Sequence, residues 1–354
     1  MHVVATSSEA LLAAALARAH RMEVGGLVAR ALLDEAATPD SVALAARTLY
    51  SRNVARNLYL EAETARWVEA FAAGGIRSVP IKGVRASRDL HGDPGVKACA
   101  DVDLLVRRSD WERAIEVAAE RGFVPRATRP SIQPSETIAR TLWAEGAPKP
   151  YSLDLHRDLE NPRVARLDAA ALWRAIGDGD SLPVTYAGVL AVLHAWRHAF
   201  TLKALADLAA FIARHERSLP EVRSILRGAS FGAGFSMALD LSERVLDVRS
   251  RHRPGWYARR LLVGPMTACV AAPAVERGHY LHWLFIALPH DGVIRGPLRA
   301  IRHLFRADPL SSGSGLGARA RRLAGGLGRF MNSKVPFIGR RITDDTGSRS
   351  VARG

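Results

Sequence analysis

The chain has 354 residues, 48% of them hydrophobic, and 50 Lys or Arg against 35 Asp or Glu, for a formal charge of +15. That length suits about two domains with ample core, and its two cysteines, Cys99 and Cys269, offer neither a disulfide framework nor a zinc spacing. The longest uncharged apolar runs, 261–275 and 278–289, fall short of the roughly 20 residues a membrane helix needs, and no signal-peptide order opens the chain, so a cytoplasmic protein without a transmembrane segment is expected.

Residues 8–73 read as helices. Leu11, Leu12, Ala15 and Leu16 recur at helical spacing, as do Leu58, Ala62, Ala65, Val68 and Phe71, until Gly74-Gly75 stops the pattern. Residues 76–81 form a short β-like run, followed by Lys82-Gly83 and a helical piece over 84–90. The segment 91–100, with Gly92, Pro94 and Gly95, is loop-like. Asp101 to Val106 reads as a strand, with Ser109 expected to cap a helix ending at Gly122, and residues 123–125 begin another extended piece. A polar stretch with Pro130, Pro134, Pro148 and Pro150 precedes a further strand, 151–156. This alternation predicts a compact α/β unit. From Arg163 helical periodicity returns over 186–200, 203–214, 219–226 and 234–248. The expected fold is α+β: a helical region over 1–75, a small mixed sheet unit over 76–160, a helical domain over 161–290 and a basic, partly disordered tail over 291–354.

The string Asp101-Val102-Asp103-Leu104-Leu105-Val106 carries the chemistry. Strand alternation puts Asp101 and Asp103 on one face, about 7 Å apart along the backbone. Two carboxylates aimed at one point repel unless a cation lies between them, and magnesium favours such oxygen ligands. In Tyr151-Ser152-Leu153-Asp154-Leu155-His156, Asp154 and His156 share the face opposite Leu153 and Leu155. Beside the first strand, Asp154 would supply a third acid, and His156 would orient it or touch a nucleotide. Upstream, Lys82 offers a point charge, and Gly83 lets backbone approach a phosphate at a helix start.

Lys82-Gly83, a helix, Asp-x-Asp-Leu-Leu-Val, a helix, a glycine and then Leu153-Asp154-Leu155-His156 resemble the uncharacterised bacterial nucleotidyltransferase family of the polymerase-β-like superfold. The resemblance covers about residues 79–159 well. It extends loosely into the helices beyond, where His194, His198 and Asp207 fall in a similar segment. It implies a magnesium- or manganese-dependent transfer of a nucleoside monophosphate from a nucleoside triphosphate to a hydroxyl or phosphate acceptor. Asp101, Asp103 and Asp154 would be the catalytic metal ligands, and Lys82 and Gly83 the phosphate element. The chain departs from the superfold pattern in having Gly83-Val84 where Gly-Gly or Gly-Ser is usual, and a longer gap before Asp101.

Other features point elsewhere. His194 and His198 are four apart on one helix face, the spacing of zinc sites, but without an accompanying glutamate or cysteine they read as packing. Asp207 reads as a residue that caps or pairs as readily as it acts. The seven tryptophans make no ladder for stacking bases. From Gly292 onward thirteen Arg or Lys face three Asp. Arg295, Arg299, Arg302 and Arg306 line one side of an amphipathic basic helix suited to weak contact with a polyanion, nucleic acid or membrane. Two alternatives therefore stand beside the enzyme: an inactive binding or regulatory module with this fold, and polyanion binding through the tail. The acceptor, whether small molecule, peptide, protein, lipid head group or RNA, is not encoded in any readable motif.

Overall fold

A computed structural model describes residues 9–125, 138–144, 151–160, 162, 164–198 and 200–248. The first three helices are α1 (Glu9–Arg21), α2 (Gly25–Asp34) and α3 (Asp40–Ala73). In α1 the buried residues Leu12, Leu16 and Ala19 repeat every three or four positions, and with Leu32 of α2 and Val42 and Ala46 of α3 they form one small core. Helix α3 contains no glycine or proline across 34 residues, so nothing interrupts it for about 50 Å. Its C-terminal half turns Leu60, Trp67, Ala70 and Phe71 inward.

The sheet comprises β1 (Ser78–Pro80), β2 (Asp101–Val106), β3 (Phe123–Pro125), β4 (Ala139–Ala144) and β5 (Ser152–His156), in the spatial order β1-β2-β5-β4-β3. Strands β2 and β5 are parallel and the other neighbours antiparallel. One face, with Val102, Leu104, Leu142, Leu153 and Leu155, packs on α3 and on Trp111, Ala114 and Val117 of α5 (Trp111–Glu120). The acids of β2 and β5 therefore point to the other face. The alternation in the two acidic strands corresponds to this arrangement. The sequence reading missed β4, because Ala139–Ala144 lies between proline-rich stretches that masked its pattern. Ser109 was expected to cap α5; instead residues Arg108–Asp110 form a 3₁₀ turn, and the Ser109 hydroxyl bonds the Asp110 carboxylate at 2.9 Å.

Helix α4 (Gly83–His91) and the loop after it occupy the long gap before β2. The loop is held from below by α3. Asn57 donates to the carbonyls of Pro94 and Lys97, both at 2.6 Å, and accepts from the Cys99 amide at 3.3 Å. Asn53 reaches the Gly95 carbonyl at 3.0 Å, and Arg56 reaches that of Cys99 at 2.7 Å. Gly95 lies against Tyr50 so closely that a β-carbon there would fall 2.3 Å from the ring.

Beyond the sheet come α6 (Ala169–Ile176), α7 (Val184–Arg197), α8 (Leu202–His215), α9 (Leu219–Gly228) and α10 (Gly232–Leu246). The last four enclose a core with Val192, Trp196, Leu208, Phe211, Leu226 and Phe235. Leu172 and Ile176 of α6 and Tyr186 and Leu190 of α7 join Val79, Ile81 and Leu105, fastening these helices to the sheet's upper face. Among the described residues no helix is long and apolar enough to cross a membrane. The amphipathic basic segment around 295–306, Cys269, Trp256 and Trp283 lie outside the described residues.

Candidate active site

In the register of β2 and β5, Asp103 stands directly opposite Asp154, Asp101 opposite Ser152, and Leu105 opposite His156. The two acids thus face each other across one strand spacing, about 4.8 Å. One potential ligand atom from each of Asp103, Asp154 and His156 lies within 4.8 Å of the others. The His156 Nε2 is 2.9 Å from Asp103 Oδ1. Asp101 shares the face of Asp103 two residues earlier but lies outside this three-residue group.

Lys82 ends the segment after β1 and precedes α4, where its Nζ lies 3.5 Å from Asp103 Oδ1. The Ile81 amide donates to the Asp103 carbonyl at 3.2 Å, which ties this entry to β2. Gly83 has φ of +67°, a left-handed conformation in which side chains are disfavoured, and a β-carbon there would meet the Asp101 carbonyl oxygen at 3.4 Å. Val84, next in line, is buried in the core beneath the sheet. The start of α4 therefore offers backbone amides and no hydroxyl.

The electrostatics separate the acids. Asp103 is 6% exposed, and burial alone would raise its pKa. The Lys82 charge and the His156 hydrogen bond outweigh that burial and hold the carboxyl well below its usual range. Burial and then Lys82 push His156 down to about 4, so its imidazole is neutral at pH 7 and donates from Nε2 to the ionised Asp103. Asp154 moves the other way, raised to about 6 by burial and then by the Asp103 charge, although Thr141 hydrogen-bonds it. Its Oδ1 is buried without a partner among the described residues, as is Nδ1 of His156. Asp101 is also raised, by burial first and Asp103 next, with Lys82 and Lys203 opposing.

The remaining sequence candidates lie around this centre. Asp207 of α8 is an ion-pair partner: its carboxylate takes Lys97 Nζ at 2.5 Å and His91 Nε2 at 3.0 Å. The His194 and His198 rings lie 4.2 Å apart by their centroids, and burial above all holds both imidazoles below the usual histidine range, so both are neutral at pH 7. Burial pushes the Cys99 thiol up to about 11, so it is no nucleophile at neutral pH. Thr141, Lys97 and Lys203 were not singled out from the sequence. Thr141 lies in the missed strand, and a lone lysine carries no local signature.

A small mixed sheet flanked by helices, with facing carboxylates on its central parallel strands and a lysine at an adjacent helix start, is the architecture of a nucleotidyltransferase-like unit. The chain belongs to the family described as uncharacterised nucleotidyltransferase, which matches residues 8–247. No curated protein and no solved structure matches it.

Proposed function

We propose that the protein transfers a nucleoside monophosphate from a nucleoside triphosphate to a hydroxyl or phosphate acceptor, using magnesium or manganese held by Asp101, Asp103 and Asp154. The observation that carries this reading is the Asp103–Asp154 pair: two facing carboxylates, the first buried and ionised, the second half-buried with one buried oxygen left without a partner among the described residues. Such a pair is costly unless a cation joins it. Carboxylate oxygens suit magnesium, and the nitrogen of His156 in the same group suits manganese somewhat better. When bound, the cation would neutralise charge on the phosphates and polarise the group being transferred.

The protein's own groups do the rest. The acceptor oxygen attacks the α-phosphorus, the bond from that phosphorus to the bridging oxygen breaks, and pyrophosphate leaves. Asp154, the third acid, either completes the cation's ligands or takes the acceptor's proton. Lys82, now beside Asp103, is within reach of an arriving phosphate, and the αL backbone at Gly83 lets amides approach it. His156 fixes the orientation of Asp103 through its Nε2 hydrogen bond. Catalysis on this reading is mostly positioning and charge neutralisation.

The test is calorimetric titration of wild type and of Asp103→Asn and Asp154→Asn with each ribonucleoside triphosphate, without metal and with magnesium or manganese. Metal-dependent binding of at least one triphosphate is expected in the wild type, with a large loss in both variants while their circular dichroism stays native. Val84, where the superfold pattern has a hydroxyl or a second glycine, favours a second reading, a non-catalytic module. Failure of every triphosphate to bind the wild type under either metal would select it.

A further inference from the structure

The end of the sheet remote from Lys82 carries charge that the acids do not use. Strands β1 and β2 run antiparallel with Ser78 opposite Val106, so Arg77 and Arg107 leave the pair side by side, one position further out. Alternation puts both on the face of Val79 and Leu105, against which α6 packs. Arg107 is four residues beyond Asp103, about 13 Å along the chain direction of β2. On the two strands Val79 and Leu105, covered by Leu172 and Ile176 of α6, lie between the arginines and the acids.

Like charges set opposite each other on neighbouring strands are destabilising. Here both meet one ring. The Arg77 guanidinium carbon lies 5.7 Å, and that of Arg107 5.2 Å, from the centroid of Trp173, a half-buried residue of α6. Arg77 also donates to the Gly179 carbonyl at 2.6 Å, just past the end of that helix. A ring face attracts a cation but neutralises neither charge. The neighbouring arginines have carboxylates: Arg108 meets Asp158 at 2.5 Å, and Arg174 meets Asp168 at 3.7 Å. Among the described residues no carboxylate pairs with Arg77 or Arg107, although Asp178 and Asp180 flank Gly179.

We propose that Arg77, Arg107 and Trp173 form an anion site, separate from the acids, that takes a phosphate monoester. Two guanidiniums at one ring bring two charges and two forks of N–H donors. A single carboxylate answers one of them, whereas a phosphate monoester supplies two charges and three oxygens. The Trp173 face and the Gly179 carbonyl hold the guanidiniums before any ligand arrives, which lowers the cost of ordering them on binding. The same group is carried by small phosphorylated compounds and by the 5′ end of a nucleic-acid strand. The site needs no metal, so it stands independently of the nucleotide reading above.

The experiment is calorimetric titration of the full chain in EDTA with inorganic phosphate, and with a short single-stranded oligonucleotide bearing or lacking a 5′ phosphate. EDTA strips any cation from the acids, whose carboxylates then repel an anion. Arg77→Ala and Arg107→Ala are each expected to bind phosphate roughly ten- to a hundred-fold more weakly. Arg107→Lys, which keeps the charge without the fork, should recover only part of that loss. Trp173→Leu should weaken binding about two- to five-fold, and Lys82→Ala should bind as wild type does. Tighter binding of the phosphorylated strand assigns the site to nucleic-acid ends. Binding of inorganic phosphate with no difference between the strands assigns it to small phosphorylated compounds. Wild type that binds no phosphate, or folded arginine variants that bind as tightly as wild type, overturns the proposal. A loss confined to Lys82→Ala places the anion at the acids and overturns it as well.

Discussion

Asp207 is the residue whose environment differs most from what its position suggests. It lies on a helix beyond the sheet, yet Lys97 and His91 hold its carboxyl well below the usual range, outweighing burial. A depressed carboxylate contributes stability that is fully present above its unfolded pKa, about 4, and is lost as pH falls toward the folded value. Asp207→Asn should therefore destabilise the protein at pH 7 by about 3–5 kcal/mol, the cost of leaving a buried partner uncompensated. The difference from wild type should shrink as pH drops below 4. Urea melts at pH 7, 5 and 3.5 measure this, and a difference independent of pH would show that packing, not charge, is what Asp207 provides. In the sequence Asp207 reads as a residue that caps or pairs as readily as it acts, and its partners are not legible there because both lie more than a hundred residues away. By contrast, strand alternation alone put the acids of the two strands on one face once the strands were taken as neighbours, while the register that sets Asp103 opposite Asp154 was not legible. Lys82 carried a signal only through its place before a glycine.

At the level of elements, the loop 92–100 shows what periodicity misses. Its glycines and proline announce a loop, but nothing in the local string says that it is rigid. What holds it is Asn53, Arg56 and Asn57, side chains of α3 that reach the loop's own backbone carbonyls. Asn57 is fully buried and satisfies three backbone groups at once. Removing it leaves those groups unpaired, so Asn57→Ala should cost about 2–3 kcal/mol. The same substitution should raise hydrogen exchange across 92–100 more than in α9, which it does not touch. Equal exchange in both segments would show that the loop is held by something else. Strand β4 failed to register because its run lies between proline-bearing stretches and its pairing with β5 depends on contacts the sequence does not display. The helices of residues 184–246, each long and strongly patterned, were legible nearly to their ends.

Over the whole molecule, the candidate site gathers elements from distant parts of the chain. It takes its acids from β2 and β5 and its glycine and lysine from the start of α4, while α8 is tied by Asp207 to the loop ahead of β2 and to the end of α4. Ligand that binds the native state and not the unfolded one stabilises it by mass action, about 2.7 kcal/mol at a hundred times Kd. Magnesium with a nucleoside triphosphate should accordingly raise the melting temperature. It should also slow hydrogen exchange together in 82–103, 152–156 and 194–207, while α1 changes little. Protection confined to the strands would remove the helices from the binding surface.

The unbroken course of α3 also limits how the chain can vary in length. Its first half fits α1 and α2, its middle grips the loop ahead of Asp101, and its last turns support the underside of the acidic strands. One added residue would turn everything after it by about 100°, moving Trp67 and Phe71 off the sheet while Val42 and Ala46 stayed in place. Between those two anchors the helix can grow only in steps close to seven residues, two nearly whole turns, whereas the turns at its ends are free of that arithmetic.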